Sequence, residues 1–460
     1  MSAENKTSVT RIHVVEPGIR VRGGWERCRI GENIEFSTER LESYCIAKWE
    51  PVVYDALLVA AAVEFADRTE HRPALTWHRD FELLIPVHEP QRWRNKAVSE
   101  ALREVLNFLT GDRWQIEFCK RRKRASAPAQ CQFDLPAELN AVIPFSDGLD
   151  SRCVAGILHR EMGDKLIRVR LGTKWWNGSS HSRTKQPFTS VPYSVSPGKR
   201  QFAESSARSR GFKFALISGL AAYLTKAGSV IVPESGQGAL GPALVTVGQG
   251  YEDYRSHPLF TVRMERFLWE LLGHEVRFQF PQLWQTKAET LKEFVGDCTD
   301  GAAWSETWSC WQQNRQSSVT GKKRQCGICA ACLLRRLSVH AAGLTEPKET
   351  YVWENLSAPA FEEGAAPAFP KRKITRALRE YAIAGALHLD HLAQLRKSAA
   401  NAANLNLTAF QLSRALGMDA ADVCSRLTRL LSQHEAEWKS FIGSLGQASF
   451  LGNWIGEGQS

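Results

Sequence analysis

The sequence lacks any long apolar run and any leader-like start. A helix that crosses a bilayer needs about 18–20 apolar residues, and the longest apolar run here, Leu57 to Val63, is much shorter. The opening MSAENKTSVT is polar and has no apolar centre of the kind that a signal peptide requires. These absences exclude the secreted and membrane-embedded classes and predict a cytoplasmic protein.

The composition is that of a folded protein with a basic surface. Hydrophobic residues make up 43% of the chain and aromatic residues 10%, which excludes wholesale disorder. At the usual ~100–200 residues per domain, 460 residues predict about three domains. The net charge of +10 favours polyanionic partners such as nucleotides, phosphates or nucleic acid.

The apolar patterns divide the chain into three segments. Residues 1–135 mix helix and strand patterns and predict a small N-terminal α+β domain. Residues 136–356 repeat a strand–loop–helix unit, which predicts an α/β fold with a mostly parallel sheet and helices on both faces. Residues 357–460 predict a linker followed by a helical C-terminal domain.

Several stretches interrupt these patterns. The basic run Lys120 to Arg124 marks the end of the first domain, and the Ser/Gly/Pro-rich stretch Asn177 to Arg200 predicts a mobile loop over a site. The Pro/Ala-rich stretch 357–370 predicts a linker, and the C-terminal helices are predicted to have caps or breaks near Gly385, Asn401 and Gly417.

The strongest local motif follows the first strand of the middle segment. Its seven residues are Phe145, Ser146, Asp147, Gly148, Leu149, Asp150 and Ser151. Backbone N–H groups at a helix start, two hydroxyls and a glycine that lets phosphate approach predict a pyrophosphate site, with a plain polar turn as the alternative. Asp150 is predicted to hold the Mg²⁺ that accompanies ATP. The motif resembles the PP-loop of ATP pyrophosphatases, Ser-Gly-Gly-x-Asp-Ser, although Asp147 replaces the first glycine.

Four of the eleven cysteines are grouped: Cys310, Cys326, Cys329 and Cys332. In a chain without a secretion signal, grouped cysteines bind metal more often than they form disulfides. Four thiolates predict a closed tetrahedral Zn²⁺ site, which is structural because no position stays open for water. The alternative is an iron–sulfur cluster, but the fourth ferredoxin cysteine and its proline do not follow Cys332.

The PP-loop and the cysteines together resemble one family. The matching residues are Ser146 to Ser151, Thr286 to Glu289, Trp308 to Cys310 and Cys326 to Arg335. They resemble the QueC family of 7-cyano-7-deazaguanine synthases over about residues 140–345. Members of that family activate 7-carboxy-7-deazaguanine with ATP, as an adenylate, and add ammonia to make an amide and then a nitrile.

The resemblance implies roles for individual residues. The motif residues would bind ATP and Mg²⁺, the four cysteines would bind zinc, and Lys287 would contact phosphate near a helix N-terminus. The candidate catalytic residues are Asp150, Lys287 and Arg210. Nucleotide-binding candidates beyond the motif are Arg208, Glu234 and Thr286. Thr286 and Glu289 also form the pattern of a helix capping box, which is an equally good interpretation of both.

Two features depart from ordinary family members. Leu171 to Trp176 replaces a Tyr-Gly-Gln-Arg-His-like segment, and domains flank the middle segment on both sides. Enlarged proteins of this kind resemble the QueC-like members of bacterial anti-phage systems, the QatC type. We therefore predict an ATP-dependent ligase that activates a 7-deazaguanine carboxylate. Its acceptor would be ammonia or a partner protein's terminus, and its role would be anti-phage defence.

Four alternatives stay open. One is plain nitrile synthesis in the queuosine pathway. A tRNA-thiolating PP-loop enzyme would need a cysteine outside the metal site, such as Cys153 or Cys298. Nucleic-acid binding is a third, because Thr408 to Leu431 resembles a helix-turn-helix, although a packing subdomain explains that pattern better. The fourth alternative is a non-catalytic scaffold with a degenerate PP-loop, which Asp147 in place of the first glycine makes plausible.

Overall fold

The computed structural model of the chain contains two parallel β-sheets, and most of their strands carry β-branched or aromatic residues. The structure describes residues 9–36, 50–72, 78–122, 141–171, 191, 193–248, 250–298, 301–312 and 318–457. The strands are β1 Val9–Val15, β2 Glu26–Arg29, β3 Ile34–Phe36, β4 Asp80–Val87, β5 Arg113–Lys120, β6 Ala141–Pro144, β7 Leu166–Val169, β8 Tyr193–Val195, β9 Ser229–Ile231, β10 Arg277–Gln279, β11 Ser318–Val319 and β12 Lys322–Lys323.

Helices connect and cover these strands. In the first half of the chain they span Pro51–Thr69, Pro90–Arg94, Lys96–Thr110, Leu149–Met162 and Arg210–Thr225. In the second half they span Gly236–Ala239, Gly241–Leu244, Pro258–Leu272, Lys287–Asp297, Ala330–Ala341, Arg376–Gln394, Ala399–Leu416, Ala420–Leu445 and Phe450–Glu457. Among the described residues, no helix combines the length and the apolar character that a membrane span requires.

The chain forms two units, each assembled from three segments. The first unit contains Met1–Phe145, Met162–Val232 and Asp253–Gln279. The second contains Ser146–Glu161, Pro233–Glu252 and Phe280–Ser460. The domain boundaries at 135/136 and 356/357 stay predictions from the sequence.

The first unit holds both large sheets. One has the order β2-β1-β4-β5 and the other has the order β10-β9-β6-β7, and every pairing in them is parallel. The helices Pro51–Thr69 and Lys96–Thr110 contact the first sheet, and Arg210–Thr225 contacts the second at β6 and β9. A parallel α/β fold with a helical C-terminal region is therefore confirmed.

The strand order of the second sheet indicates at which strand ends a ligand is expected. Its strand order reverses between the neighbours β6 and β9. Ligands of open parallel sheets bind beyond the carboxyl ends of the strands at such a reversal. The chain continues from β6 through Phe145 into the loop Ser146–Ser151, and from β9 towards Glu234.

The second unit packs around the cysteines and the C-terminal helices. One core contains the four grouped cysteines together with buried aromatic residues, among them Trp353, Phe361, Phe369 and Phe450. Phe361 and Phe369 come from the stretch 357–370 that the sequence predicted as a linker. A second core joins Leu240 and Leu283 to leucines of the helix Ala420–Leu445.

Gly385 does not break a helix, so that prediction was wrong. It lies inside the helix Arg376–Gln394 at a close approach to another backbone. A Cβ at this position would stand 2.7 Å from the Ala330 amide nitrogen and 3.2 Å from the Cys329 carbonyl carbon. The glycine is therefore needed for contact with the backbone next to the cysteines.

Gly385→Ala is expected to lower the free energy of unfolding by about 1–2 kcal/mol, because overpacking outweighs the better helix propensity of alanine. Gly443→Ala is the matched control, since Gly443 also lies within a helix but has nothing within 4 Å of an added Cβ. It should stabilise the protein by up to about 1 kcal/mol. Urea unfolding of the two variants measures both effects, and equal midpoints would contradict the close approach at Gly385.

The helix-turn-helix alternative fits the C-terminal helices poorly. The helix that was expected to end at Leu431 continues to Leu445 and has 26 residues. Its Arg426 pairs with Asp422, and its Arg429 pairs with Glu289. Gly417 ends the preceding helix with φ +66°, as predicted. These contacts favour the packing interpretation over a DNA-reading surface.

Some predicted features lie wholly or partly outside the described residues. Of the basic run, Lys123 and Arg124 are not described. The same holds for Gly172 to Trp176 and for residues 177–190 of the predicted mobile loop. The end of that loop is described, and Tyr193–Val195 forms the strand β8, which pairs antiparallel with β3.

Candidate functional site

The loop Ser146–Ser151 is held by hydrogen bonds between its own serines. The Ser146 and Ser151 hydroxyl oxygens lie 2.9 Å apart, and the Ser146 amide donates to Ser151 Oγ at 3.2 Å. The Gly148 amide donates to Ser146 Oγ at 3.1 Å. The loop opens directly into the helix Leu149–Met162, called here the loop helix. This geometry matches the predicted strand–loop–helix arrangement.

Asp147 contributes its backbone to the loop. Its side chain is exposed, and its carbonyl oxygen accepts a hydrogen bond from the Trp308 amide at 2.6 Å. Trp308 stands two residues before Cys310, so this bond joins the loop to the segment that supplies the first grouped cysteine. A backbone acceptor does not depend on the side chain at position 147, which explains how an aspartate is accommodated where the PP-loop pattern has glycine.

Asp150 and Lys287 form a buried ion pair. Lys287 Nζ donates to Asp150 Oδ2, and the two side chains are 9% and 14% exposed for Lys287 and Asp150 respectively. The other carboxylate oxygen, Asp150 Oδ1, is buried and has no hydrogen-bond partner among the described residues. A buried carboxylate oxygen without a donor is suited to a hard cation such as Mg²⁺.

Lys287 stays charged in spite of its burial. Burial opposes the charge, but the attraction of Asp150 and Glu234 outweighs it and raises the pKa of the ammonium group. The structure therefore brings three predicted site residues of the second unit together. An ammonium that pairs with Asp150 and is attracted by Glu234, beside a phosphate-type loop, can contact the oxygens of a polyphosphate.

The helix Lys287–Asp297, called here the lysine helix, begins with a complete capping box. Thr286 Oγ1 accepts from the Glu289 amide at 3.2 Å, and Glu289 Oε2 accepts from the Thr286 amide at 2.8 Å. The structural interpretation of this pair is therefore confirmed. Thr286 Oγ1 also donates to Glu437 Oε1 at 2.7 Å. The cap places Lys287 at the first position of the helix.

The next candidate site residues are Phe145, Leu149, Arg208 and Arg210. Phe145 is buried, and its amide donates to the Val169 carbonyl at 2.7 Å. Leu149 is buried against Leu291 and other core residues of the second unit. The first unit contains both arginines: Arg208 Nη1 donates to the Thr110 carbonyl at 3.0 Å, and exposed Arg210 begins the helix Arg210–Thr225.

The four grouped cysteines converge on one point. All four are buried, and their sulfur atoms lie within 4.8 Å of one another. Cys326 Sγ and Cys332 Sγ are 3.8 Å apart. A tetrahedron with metal–sulfur distances of ~2.3 Å places its sulfurs about 3.8 Å apart. This geometry fits a single metal ion rather than a cluster, whose iron atoms and sulfides would push the cysteines further apart.

Backbone amides support the sulfurs in the way that thiolate ligands require. The Cys326 amide donates to Cys310 Sγ at 3.2 Å, and the Cys329 amide donates to Cys326 Sγ at 3.4 Å. The Cys332 amide donates to Cys329 Sγ at 3.4 Å. Gly327, at φ +86°, provides the turn between Cys326 and Cys329. A buried set of four sulfurs with amide donors can bind a metal such as zinc.

Arg335 links the metal-binding segments. It is fully buried on the helix Ala330–Ala341, which carries Cys332. It pairs with Glu346, and its Nη1 donates to Thr307 Oγ1 at 2.6 Å. Thr307 immediately precedes the Trp308 amide that binds the loop. The sequence motif around Cys332 thus includes an arginine that holds the Trp-Ser-Cys segment in place.

Two cysteines outside the cluster have the character of ordinary thiols. Burial raises the pKa of Cys153, and the charge of Asp150 adds to that effect. Burial also raises the pKa of Cys298. The thiolate is the nucleophilic form of cysteine, so a raised pKa weakens both as candidates for the thiolating alternative.

Sequence reasoning missed two buried residues, one that bonds to the Lys287 amide and one that bonds to the first. Gln237 Oε1 accepts from the Lys287 amide at 2.8 Å, and Gln237 Nε2 lies 2.8 Å from His434 Nδ1. Neither residue belongs to a motif, and they lie far apart in the chain. The one available signal was their polarity, because a glutamine and a histidine stand among residues that otherwise form an apolar core.

The region that carries the lysine helix and the cysteines matches a known family. Residues 243–343 match the family model described as Queuosine biosynthesis protein QueC. A stretch of 75 residues is 35% identical to the protein named 7-cyano-7-deazaguanine synthase from Hydrogenovibrio crunogenus (strain DSM 25203 / XCL-2). That stretch covers 16% of this chain and 28% of the relative. No solved structure matches the chain.

Proposed function

We propose that this chain, which is QueC-like over residues 243–343, binds ATP at the loop Ser146–Ser151 and uses it to activate the carboxylate of a 7-deazaguanine-related base. The observation that carries the proposal is the buried Asp150–Lys287 pair at the start of the loop helix, with Asp150 Oδ1 left without a donor in the described part of the chain. Packing alone does not explain this arrangement, because a buried carboxylate oxygen without a hydrogen-bond donor destabilises the fold.

The loop and the two helix starts suit a polyphosphate. The hydroxyls of Ser146 and Ser151 stand at the start of the loop helix, where partial positive charge attracts anions. Lys287 stands at the first position of a second helix. Asp150 Oδ1 would hold Mg²⁺, which would neutralise charge on the phosphate oxygens during transfer. The negative charge of Glu234 adds to that of Asp150 in raising the pKa of Lys287.

The chemistry of the proposed reaction has two steps. The base carboxylate oxygen attacks the α-phosphorus of ATP, the bond between the α- and β-phosphates breaks, and pyrophosphate leaves. An amine nitrogen then attacks the acyl carbon of the adenylate, loses a proton, and AMP leaves as an amide forms. Ammonia as acceptor gives the amide that precedes a nitrile. A protein N-terminus as acceptor gives a conjugate, and we favour it for an enlarged chain acting in defence against phage.

Pyrophosphate exchange tests the first step directly. The purified chain is incubated with 7-carboxy-7-deazaguanine, ATP, Mg²⁺ and labelled pyrophosphate, and label in ATP is counted. Exchange that requires the base supports the proposal, and its absence with intact ATP binding would favour the scaffold alternative. Adding ammonia and analysing for the free nitrile separates plain synthase activity from conjugation. Mass spectrometry of co-expressed partner proteins detects a deazaguanine-sized adduct.

Asp147→Gly, which restores the family pattern, is expected to leave the Kd for ATP–Mg²⁺ within about threefold of the native value. The Asp147 side chain is exposed and its backbone oxygen holds the loop, so the Trp308 bond survives the change. Removal of one negative charge near phosphate should favour tighter binding by a small factor, because exposed charges are screened. Isothermal titration measures the Kd. A loss of binding would mean that the aspartate side chain, rather than its backbone, organises the loop.

A further inference from the structure

We propose that Gln237 and His434 are positioning residues that fix Lys287 for phosphate binding, so that the C-terminal helical region completes the proposed active site. The inference rests on the proposed function, because it assigns Lys287 to phosphate. It concerns residues outside the family match, since both Gln237 and His434 lie beyond 243–343. It gives a task to the helix Ala420–Leu445, called here the long C-terminal helix.

Three hydrogen bonds connect Lys287 to the C-terminal helices. The Lys287 amide donates to Gln237 Oε1 at 2.8 Å, and Gln237 Nε2 lies 2.8 Å from His434 Nδ1. His434 Nε2 lies 2.9 Å from the Leu389 carbonyl oxygen, on the helix Arg376–Gln394. Gln237 and His434 are 3% and 0% exposed, so water does not compete for these bonds.

The two ends of this chain of bonds determine its direction. The Leu389 carbonyl can only accept, so His434 Nε2 carries the hydrogen. The Lys287 amide can only donate, so the carboxamide oxygen of Gln237 faces it and the NH₂ group faces His434 Nδ1. His434 is therefore the neutral tautomer with an unprotonated Nδ1. Burial lowers the pKa of His434 to about 4, which agrees with this assignment.

The long C-terminal helix makes a second contact one turn further on. Glu437 Oε1 accepts from Thr286 Oγ1 at 2.7 Å and from Gln433 Nε2 at 3.0 Å. His434 and Glu437 are three residues apart and share a helix face. Two side chains of one helix turn thus hold Thr286 and, through Gln237, Lys287. The start of the lysine helix is fixed at two consecutive residues.

Helix stability requires an acceptor for the Lys287 amide, but it does not require the particular pair of Gln237 and His434. Gln237 and His434 adjoin Leu240, Leu430 and Leu431 of an apolar core. Apolar residues in place of a hydrogen-bonded pair of side chains are often as favourable, although an apolar residue at position 237 would leave the Lys287 amide without its acceptor. The capping box serves the amides of Thr286 and Glu289, so Gln237 is the acceptor for the Lys287 amide. A displacement of about 1 Å in a group that contacts the reacting atoms can lower the reaction rate ~10²-fold. A fixed Lys287 backbone therefore preserves the rate of the proposed reaction.

Gln237→Glu provides a test with a pH signature. The new carboxylate still accepts from the Lys287 amide, but its second oxygen needs a hydrogen from His434 Nδ1. The bond forms only while His434 is protonated, and the carboxylate raises the pKa of His434 from its low native value. The hydrogen bond from His434 to the new carboxylate, and with it the positioning of Lys287, is present below the raised pKa of His434 and is lost as pH rises through that value. The kcat of the variant should fall about tenfold across this range, whereas the native protein shows no such step.

The surroundings of His434 leave this titration simple to interpret. Among the described residues, His388 on the helix Arg376–Gln394 is the titratable group that acts on the pKa of His434. His388→Ala is also the matched control, since His388 is a buried histidine that bonds to the Val245 carbonyl at 2.8 Å without reaching Lys287. It should lower the melting temperature while kcat stays within twofold of native.

Hydrogen exchange at the Lys287 amide separates this inference from the proposed function. Gln237→Ala removes the acceptor, so exchange of this amide, followed by mass spectrometry, should accelerate at least tenfold, while in His388→Ala it stays native. This readout holds even if the deazaguanine assay finds no activity, in which case only the proposed function fails. A native exchange rate in Gln237→Ala, or a kcat of Gln237→Glu that does not change with pH in an active enzyme, would overturn the positioning role.

Discussion

Lys287→Met is expected to lower the rate of pyrophosphate exchange by about 10²–10³-fold. Removal of one donor aimed at developing charge in a buried site has effects of that size. The ammonium is buried, stays charged beside Asp150 and Glu234, and stands at a helix N-terminus. Steady-state kinetics of the variant measure the loss. Lys292→Met is the matched control, because Lys292 is an exposed lysine on the same helix, and its rate should stay within twofold of native.

The same substitution also affects stability, and a double variant separates the two effects. Lys287→Met leaves the buried Asp150 carboxylate unpaired, which costs about 3–5 kcal/mol. Asp150→Asn in the same chain removes that charge, so the Asp150→Asn/Lys287→Met protein should regain most of the lost stability while remaining inactive. A double variant that recovers activity together with stability would contradict a catalytic role for the pair.

Asp150→Asn alone should change the dependence on Mg²⁺. Oδ1 is the unpaired buried oxygen, and an amide in its place carries no negative charge for the cation. We expect at least a tenfold higher Mg²⁺ concentration for half-maximal exchange. A native Mg²⁺ requirement would assign the cation to another residue.

Cys329→Ser is expected to abolish zinc binding and to lower the free energy of unfolding by at least about 3 kcal/mol. Structural zinc sites contribute apparent binding energies of ~10–16 kcal/mol, all of it lost in the unfolded chain. Cys329 is fully buried in a core that includes Trp353. Elemental analysis should find one zinc per native chain and almost none in the variant, and urea unfolding gives the stability difference.

Cys424→Ser is the control for that experiment, because Cys424 is a half-buried thiol outside the cluster. Its zinc content should equal that of the native chain. A brown native protein that contains iron would instead support the iron–sulfur alternative.

Chelation should also weaken ATP binding, since Trp308 belongs to the segment of Cys310 and holds the loop through Asp147. ATP affinity that survives complete zinc loss would argue against that coupling.

The sequence predicts the parts of the site that are local in the chain. Three cysteines at a spacing of three, a glycine in their turn and a polar loop before a helix need only a few neighbouring residues to be recognised. The capping box at Thr286 is equally local, and its geometry is confirmed. Parallel strands could be inferred in the same way from the repetition of strand–loop–helix units.

Features that depend on distant residues could not be predicted. The bond between Gln237 and His434 joins residues 197 positions apart, and no motif contains either one. Gly385 has the same sequence signal whether it ends a helix or lets two backbones meet, and only the position of Ala330 decides. The three-segment composition of each unit is likewise a property of packing. Local patterns do not report which partner a side chain will meet.

The assembly of the second unit from separated segments has a consequence for synthesis of the chain on the ribosome. The apolar residues Leu149 and Ile157 of the loop helix pack against Leu291, Phe294 and Trp304, which are translated more than a hundred residues later. At ~5–20 residues per second, the emerging loop helix waits about 7–30 s for its partners. Nascent chains stalled before Leu291 should therefore expose this helix to chaperones and proteases, and protection should begin only once the later segment has emerged.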